Sequence, residues 1–192
     1  MRILVTGHRG NVGVPVARHL AGLGYDVAGF DRVDGKDLLD PGEVKSAAAG
    51  CAAVVHLGAL AHDTAGSPEQ IMAINVLGTW HTLLAAEAAG AERVICFSSA
   101  QVFGTAEGER LPDYFPLDDA HPRRARRAYG LSKCLDMAAR QGPDVTVRDP
   151  ARYRADPWRA LVDCSTAGTV LGWRPRYRWS GRGPGQDTWP TP

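Results

Sequence analysis

The segment ILVTGHRGNVG at 3–13 constrains the fold of this chain more than any other. A short apolar run passes without a linker into Gly7, Gly10 and Gly13, and Val12, Val16, Leu20 and Leu23 then follow at helical spacing. A strand that turns this abruptly into a helix needs each glycine for its own reason. Gly7 permits the tight turn, Gly10 lets a phosphate come close to the backbone, and Gly13 lets the helix pack on the strand. Together with Asn11 and Val12, they bring bare N–H groups and a helix N-terminus to one spot, a setting that favours a pyrophosphate.

The rest of the chain repeats the alternation of short apolar runs and longer helical patterns. Strands are expected at 3–7, 26–30, 52–57 and 93–99, with a brief extended piece near 37–39 and a further strand at 144–149. Pro41 opens a helix to Ala49, and Ser67-Pro68-Glu69-Gln70 is a capping box that starts a long helix to Ala89, stopped by Gly90. A polar loop fills 100–121, long enough to suggest a functional role. Another helix runs from Pro122 to Arg140, where Gly142-Pro143 ends it. The pattern is that of an α/β protein: a Rossmann-type, doubly wound parallel sheet of five or six strands, helices on both faces. We expect this domain over 1–141, a short C-terminal appendage over 142–180, and a flexible tail over 181–192 rich in Gly, Pro and Arg.

Several function classes drop out on composition. A formal net charge of +1 gives no drive toward nucleic acid, despite the aromatic and basic stretch Trp173–Trp179. Cys51, Cys96, Cys134 and Cys164 are spread singly, without a CxxC pair or zinc-like histidine spacing, and read as free thiols in a reducing compartment. His56, at the end of a buried run, reads as a core residue. No metal site is expected. The N-terminal apolar run is too short for a signal peptide and no stretch is long enough to span a membrane, so the expected location is the cytoplasm.

The second strand ends in Asp31-Arg32. A carboxylate there accepts hydrogen bonds from ribose hydroxyls and repels a 2′-phosphate, which favours NAD over NADP. Arg32 pulls the other way, because a guanidinium attracts that phosphate.

Five ordered motifs then carry a family resemblance: TGHRGNVG at 6–13, HLGAL at 56–60, NVLGT at 75–79, SSAQVFG at 98–104 and YGLSK at 129–133. Over about residues 1–136 the chain resembles the extended short-chain dehydrogenases, the NAD-dependent epimerase/dehydratase family that includes UDP-galactose 4-epimerases and uronate dehydrogenases. The resemblance implies that Asp37 and Leu38 flank the adenine, that Leu57, Gly58 and Ala59 line the middle of the dinucleotide, and that Asn75 supports the cofactor. It also implies Ser99 as the active-site hydroxyl, Tyr129 as acid/base and Lys133 as its partner, with Tyr129 and Lys133 also touching the cofactor. Tyrosine and lysine four apart share one helix face. A lysine ammonium beside a phenol, whose ordinary pKa is about 10, favours the phenolate that a base requires.

The resemblance has a limit. Family members carry a glutamate four residues past the lysine, where this chain has Met137, and continue into a large substrate domain. One reading takes DVTVRDP at 144–150 as a shortened sixth strand with its Arg-Pro loop. The other, which we prefer, takes residues from about 138 onward as similar to the far C-terminal end of longer members, with a join close to Met137. The resulting expectation is an NAD-dependent oxidoreductase or epimerase acting on a sugar-like or other small hydroxyl or carbonyl substrate. The run Arg123, Arg124, Arg126, Arg127 reads as a solvated rim, with a clamp for an anionic substrate as the alternative. Two other functions stay open: an NAD-binding module without turnover, and a non-redox isomerase or cyclase. An uncovered sheet edge beside the strand at 93–99 further predicts a homo-oligomer.

Overall fold

A computed structural model describes residues 1–104, 111–114, 117–118 and 120–138. These fall in two units, one holding 1–104 and 123–138, the other the described residues between 111 and 122.

The larger unit is built on four parallel strands: β1 (Arg2–Thr6), β2 (Asp26–Phe30), β3 (Ala53–His56) and β4 (Arg93–Cys96), in the spatial order β2-β1-β3-β4. The chain steps from β1 to β2 on one side and then crosses to β3 on the other. This puts a topological switch point at the carboxyl ends of β1 and β3, where open α/β sheets hold their ligands. Parallel strands require crossovers. They are supplied by α1 (Gly13–Gly22), α2 (Pro41–Ala48), and a composite helix made of α3 (Pro68–Met72), a π-helical turn (Ala73–Leu77) and α4 (Gly78–Ala88). A 3₁₀ turn (Ala100–Phe103) follows β4, and α5 covers Ala128–Ala138.

Strand alternation divides the core in two. Leu4 and Val54 point to one face with Phe30, against Val44 and Ala48 of α2 and Ala85 and Ala86 of α4. Ile3, Val5 and Val55 point to the other, with Val16 and Leu20 of α1 packed on them. Both faces of β1 are therefore covered, as its unbroken apolar run requires. The expected caps form. Asp40 accepts from the N–H groups of Gly42 and Glu43 ahead of α2, and Ser67 and Gln70 make the reciprocal pair that opens α3.

Two expected elements differ. Residues 37–39 form a turn and not a strand, because the Asp37 carboxylate accepts from Leu39 N–H while the Asp37 N–H is taken by Glu43. Only four strands are found among the described residues, and the one expected at 144–149 lies outside them. The last helix starts at Ala128 and not at Pro122. Arg124 spends its N–H on the carbonyl of Val102, and Gly104, at φ 70°, lies so close to the Arg124 carbonyl that a Cβ there would sit 2.3 Å from it. The arginine run is thus held along the 3₁₀ turn, with Arg123 half-buried and Arg124, Arg126 and Arg127 exposed.

In the smaller unit, the Tyr114 and His121 rings meet at 4.8 Å, and the Tyr114 hydroxyl donates to Asp118. Burial, reinforced by that carboxylate, pushes the Tyr114 phenol up to about 12. The expected segments 142–180 and 181–192 lie outside the described residues, as do Cys164 and the side chain of Met137. Among the described residues no helix is long and apolar enough to cross a membrane, and no group of three His, Cys, Asp or Glu is arranged to hold a metal.

The core sets a contrast in stability. Leu4 is wholly buried and Leu23 is 60% exposed. Leu4→Ala should cost about 2–5 kcal/mol and Leu23→Ala no more than about 0.5 kcal/mol, read from urea unfolding midpoints.

Candidate active site at the carboxyl edge of the sheet

Gly7 is the pivot of the edge, at φ 68°, with its N–H on the carbonyl of Phe30. A Cβ on Gly7 would sit 2.7 Å from the Gly58 nitrogen, and one on Gly13 would sit 1.9 Å from the Gly7 carbonyl oxygen. Neither position admits a side chain. The turn after β1 is thereby pressed against the turn after β3, with Leu57 half-buried, Gly58 buried and Ala59 half-buried beside it. Asn11 and Val12 lie exposed at the head of α1. Val12 gives that helix no side-chain cap, and its first turn holds no acidic residue. Helix-start N–H groups have no intrahelical acceptor, so this cradle is chemically suited to an anion.

Asp31 stands at the rim, half-buried, its two oxygens accepting from the N–H groups of Arg9 and Val33. It caps the 3₁₀ turn Arg32–Asp34, yet a carboxylate has about four acceptor positions, so room remains for ribose hydroxyls. Arg32 is exposed. Asp37 is exposed and occupied with backbone, as described above. Leu38 is half-buried against Gly58 and Gly78, where it leaves no room for a Cβ, and its carbonyl meets the His81 ring.

Under this edge runs a chain of polar contacts. The N–H groups of Leu57 and Gly58 both donate to the Thr6 hydroxyl, at 3.2 and 3.1 Å. Thr6 then gives its own proton to His56 Nδ1 at 2.7 Å, so the imidazole proton sits on Nε2 and donates to the Thr79 hydroxyl at 2.9 Å. Thr79 in turn donates to the carbonyl of Asn75. This assignment of the histidine proton satisfies every group in the series. His56 is a core residue, 2% exposed.

Asn75 sits in the π turn, wholly buried. Its Oδ1 accepts from Leu60 N–H at 2.8 Å, and its Nδ2 donates to the Leu60 carbonyl and to Ser132 Oγ. Ser132 donates onward to the Tyr129 carbonyl, and the Tyr129 N–H donates to the Asp63 carboxylate at 2.9 Å. The backbone of Tyr129 is therefore held at both ends. Its ring packs with Leu60 and Ile71.

The 3₁₀ turn after β4 meets the same helix. Ser99 caps that turn by accepting from Gln101 N–H, and Gly130 packs so tightly that a Cβ would lie 2.8 Å from the Gln101 carbonyl oxygen. Lys133 is buried, with its ammonium 3.1 Å from the Asp136 carboxylate, itself buried. Ser99, Tyr129, Lys133 and Asn75 thus belong to one connected structure: α5 packed on the π turn and on the turn that Ser99 begins.

The family model for the NAD dependent epimerase/dehydratase family matches residues 3–152. The chain belongs to that family. A uronate dehydrogenase of Pseudomonas putida is 31% identical over 69% of this chain and 52% of its own length. A short-chain dehydrogenase/reductase superfamily protein from Agrobacterium tumefaciens, solved with bound NAD, is 36% identical, with a TM-score of 0.65 over 72% of this chain and 43% of that one. MoeE5, solved in complex with UDP-glucose and NAD, is 26% identical, with a TM-score of 0.62 over 72% of this chain and 47% of that one. The chain spans about half the length of the curated relatives it matches.

As a member of this family, the chain has supports that its motifs do not announce. Asp136, one place before the expected glutamate position, holds Lys133, and its only sequence signal is an acid three residues after a lysine on a helix. Asp63 acts across 66 residues of sequence and lies in none of the five motifs, while Thr6 and Thr79 sit inside two of them but make their contacts with His56 across 50 and 23 residues.

His56 makes this region acid-sensitive. Burial, with a smaller contribution from the Lys133 charge, lowers its pKa from 6.5 to about 3. The unfolded chain thus binds a proton that the folded chain refuses between those values. Stability falls as pH drops from 6.5 toward 3, by at most about 1.4 kcal/mol per pH unit from this group. Urea midpoints measured across that range should show a smaller pH slope in His56→Gln than in the wild type.

Proposed function

We propose that this chain binds NAD along the carboxyl edge between β1 and β3 and acts as an oxidoreductase or epimerase on a hydroxyl or carbonyl carbon of a sugar-like small molecule. The observation that carries the reading is the connection between the glycine cradle and the Tyr129 helix through Thr6, His56, Thr79 and Asn75. A cradle for an anion and a proton-transfer residue are held in register by one set of buried contacts.

In this reading Gly7, Gly10, Asn11, Val12 and Gly13 hold the pyrophosphate, Asp31 takes the adenosine ribose hydroxyls with Arg32 beside it, and Asp37 and Leu38 border the adenine. Leu57, Gly58, Ala59 and Asn75 shape the middle of the site. The bound dinucleotide supplies a hydride acceptor or donor. Tyr129 takes the proton of the substrate hydroxyl at its phenolic oxygen, or returns it in reverse. Ser99 has one oxygen lone pair engaged by Gln101 N–H, which leaves its own proton free to bond the reacting oxygen. Lys133 sets a positive charge one helical turn from Tyr129, and Asp136 holds that ammonium in place.

The relatives support the substrate class: a uronate dehydrogenase, and a protein solved with UDP-glucose and NAD. The test is Tyr129→Phe. Turnover on a panel of uronates, sugar nucleotides and alcohols, followed by nicotinamide absorbance for oxidation and by product analysis for epimerisation, should fall by about 10²–10⁴-fold with NAD binding retained. Full activity in the variant would sink the mechanism. NAD binding with neither an absorbance change nor an epimerised product on any substrate would favour a binding module, and catalysis after the cofactor is stripped would favour a non-redox isomerase.

We also propose that the chain self-associates in solution. Leu77, Trp80 and Leu84 on the composite helix and Leu131 and Leu135 on α5 are 38–51% exposed, and Leu77, Trp80 and Leu135 line one apolar groove. A face of this kind between helices is what a second copy can cover. Light scattering at micromolar concentration should report a dimer or larger, and Trp80→Arg should shift it toward the monomer.

A further inference from the structure

The glycine turn carries a residue that the cradle does not need. Arg9 lies between Gly7 and Gly10, and the β2 end grips it at two levels. Its backbone N–H donates to Asp31 at 3.0 Å, and its guanidinium makes a two-point pair with Asp34, Nε to both carboxylate oxygens at 2.9 and 3.0 Å and Nη2 to one at 2.6 Å. Asp34 is itself fixed. Its N–H donates to the Asp31 carbonyl, and the turn closes on Gly35 at φ 74°. His8 comes from the same side, with Nε2 3.3 Å from Asp34, its ring laid over Gly29, where a Cβ would collide with it. The pair raises the Arg9 guanidinium and lowers the Asp34 carboxyl, in each case chiefly through the hydrogen bonds between them.

The location gives the pair a consequence. Whether a fold of this kind takes NAD or NADP depends on which charge meets the ribose 2′ position, a carboxylate at the β2 end or a nearby arginine. Arg9 is the candidate for that arginine: its N–H touches Asp31, and its guanidinium is held on Asp34, three residues further along the same turn. A bidentate carboxylate occupies the same fork that a phosphate would use.

We infer that Asp34 is a specificity-determining residue: by holding Arg9 in a two-point ion pair it denies a 2′-phosphate the guanidinium of the glycine turn and adds a second negative charge beside Asp31. The preference for NAD is then set by two carboxylates, one that takes the ribose hydroxyls and one that keeps the competing cation engaged. Asp34 is a positioning residue in this scheme and touches no reacting atom. The inference rests on the reading that this edge binds NAD.

The experiment is calorimetric titration of NAD and of NADP into the wild type, Asp34→Asn, Asp34→Asn/Arg9→Ala and Asp34→Asn/Arg32→Ala, with circular dichroism to verify folding. Asp34→Asn should raise the ratio of NADP to NAD affinity by about tenfold or more, the scale of one freed charge-assisted contact. The gain should vanish with Arg9→Ala and survive Arg32→Ala. An unchanged ratio in Asp34→Asn, or a gain that survives Arg9→Ala, overturns the inference while leaving the cofactor reading intact. A wild type that prefers NADP overturns it as well. A folded wild type that binds neither dinucleotide overturns the cofactor reading and this inference with it.

Discussion

The contact on which the rest of this structure depends is the hydrogen bond between Thr6 and His56. It joins the last residues of the two central strands at the switch point, where β1 and β3 part company with their connections. From one side the Thr6 hydroxyl gathers the N–H groups that begin the turn after β3; from the other, His56 reaches through Thr79 to Asn75. The side chains of the series are all buried, and only the Leu57 N–H is shared between two acceptors, the carbonyl and the hydroxyl of Thr6. Such a series is stable when complete and costly when broken, because a lost member strands its neighbours away from water. A neutral imidazole suits it, since a second ring proton would face a hydroxyl that is already donating.

Legibility in the sequence followed the range of the forces at work. The run ILVTG with its glycines, the Ser67–Gln70 box and the Asp40-Pro41 start are local devices, and the structure uses them as the sequence suggests. The failures are also local patterns, overruled by side-chain and backbone contacts that the patterns do not show. DLL at 37–39 is apolar enough for a strand, but Asp37 and Glu43 between them consume the backbone groups that a ladder needs. The arginine run after Pro122 would sit well on a helix, but Val102 claims the N–H of Arg124 first. The π turn has no signature at all, because it exists for Asn75, whose partners Leu60 and Ser132 lie 15 and 57 residues away. For the same reason the expectation for Ser99, Tyr129 and Lys133 comes from a family resemblance, while the groups that touch Tyr129 and Lys133 are not part of it. Asp63, Ser132 and Asp136 carry the backbone and the ammonium, and those are tertiary facts.

Membership in the epimerase/dehydratase family fits this division. The chain spans about half the length of the curated relatives it matches, and its described residues supply a parallel sheet with its switch point. The strands are short, the sheet has its switch point, and the site is assembled from the ends of three elements and two turns. Arg9 lies within TGHRGNVG but is none of its glycines, and Asp34 lies outside all five motifs. Local departures of that kind, on a shared frame, are where members of one fold acquire their differences.

The π turn has a further consequence for what sequence change this chain can absorb. A π turn is a helix with one residue more than its pitch requires. Ahead of it, Ile71 faces the cluster beneath Tyr129; beyond it, Thr79, Thr82, Ala85 and Ala86 face the sheet. The extra residue reconciles the two directions. Winding the five residues Ala73–Leu77 at the regular pitch, with none removed, would turn everything after them by about 100° relative to everything before. Thr79 would leave His56, and Ala85 and Ala86 would leave the core. The composite helix is therefore two helices kept in phase by one wide turn, which takes up a single surplus residue without moving either face.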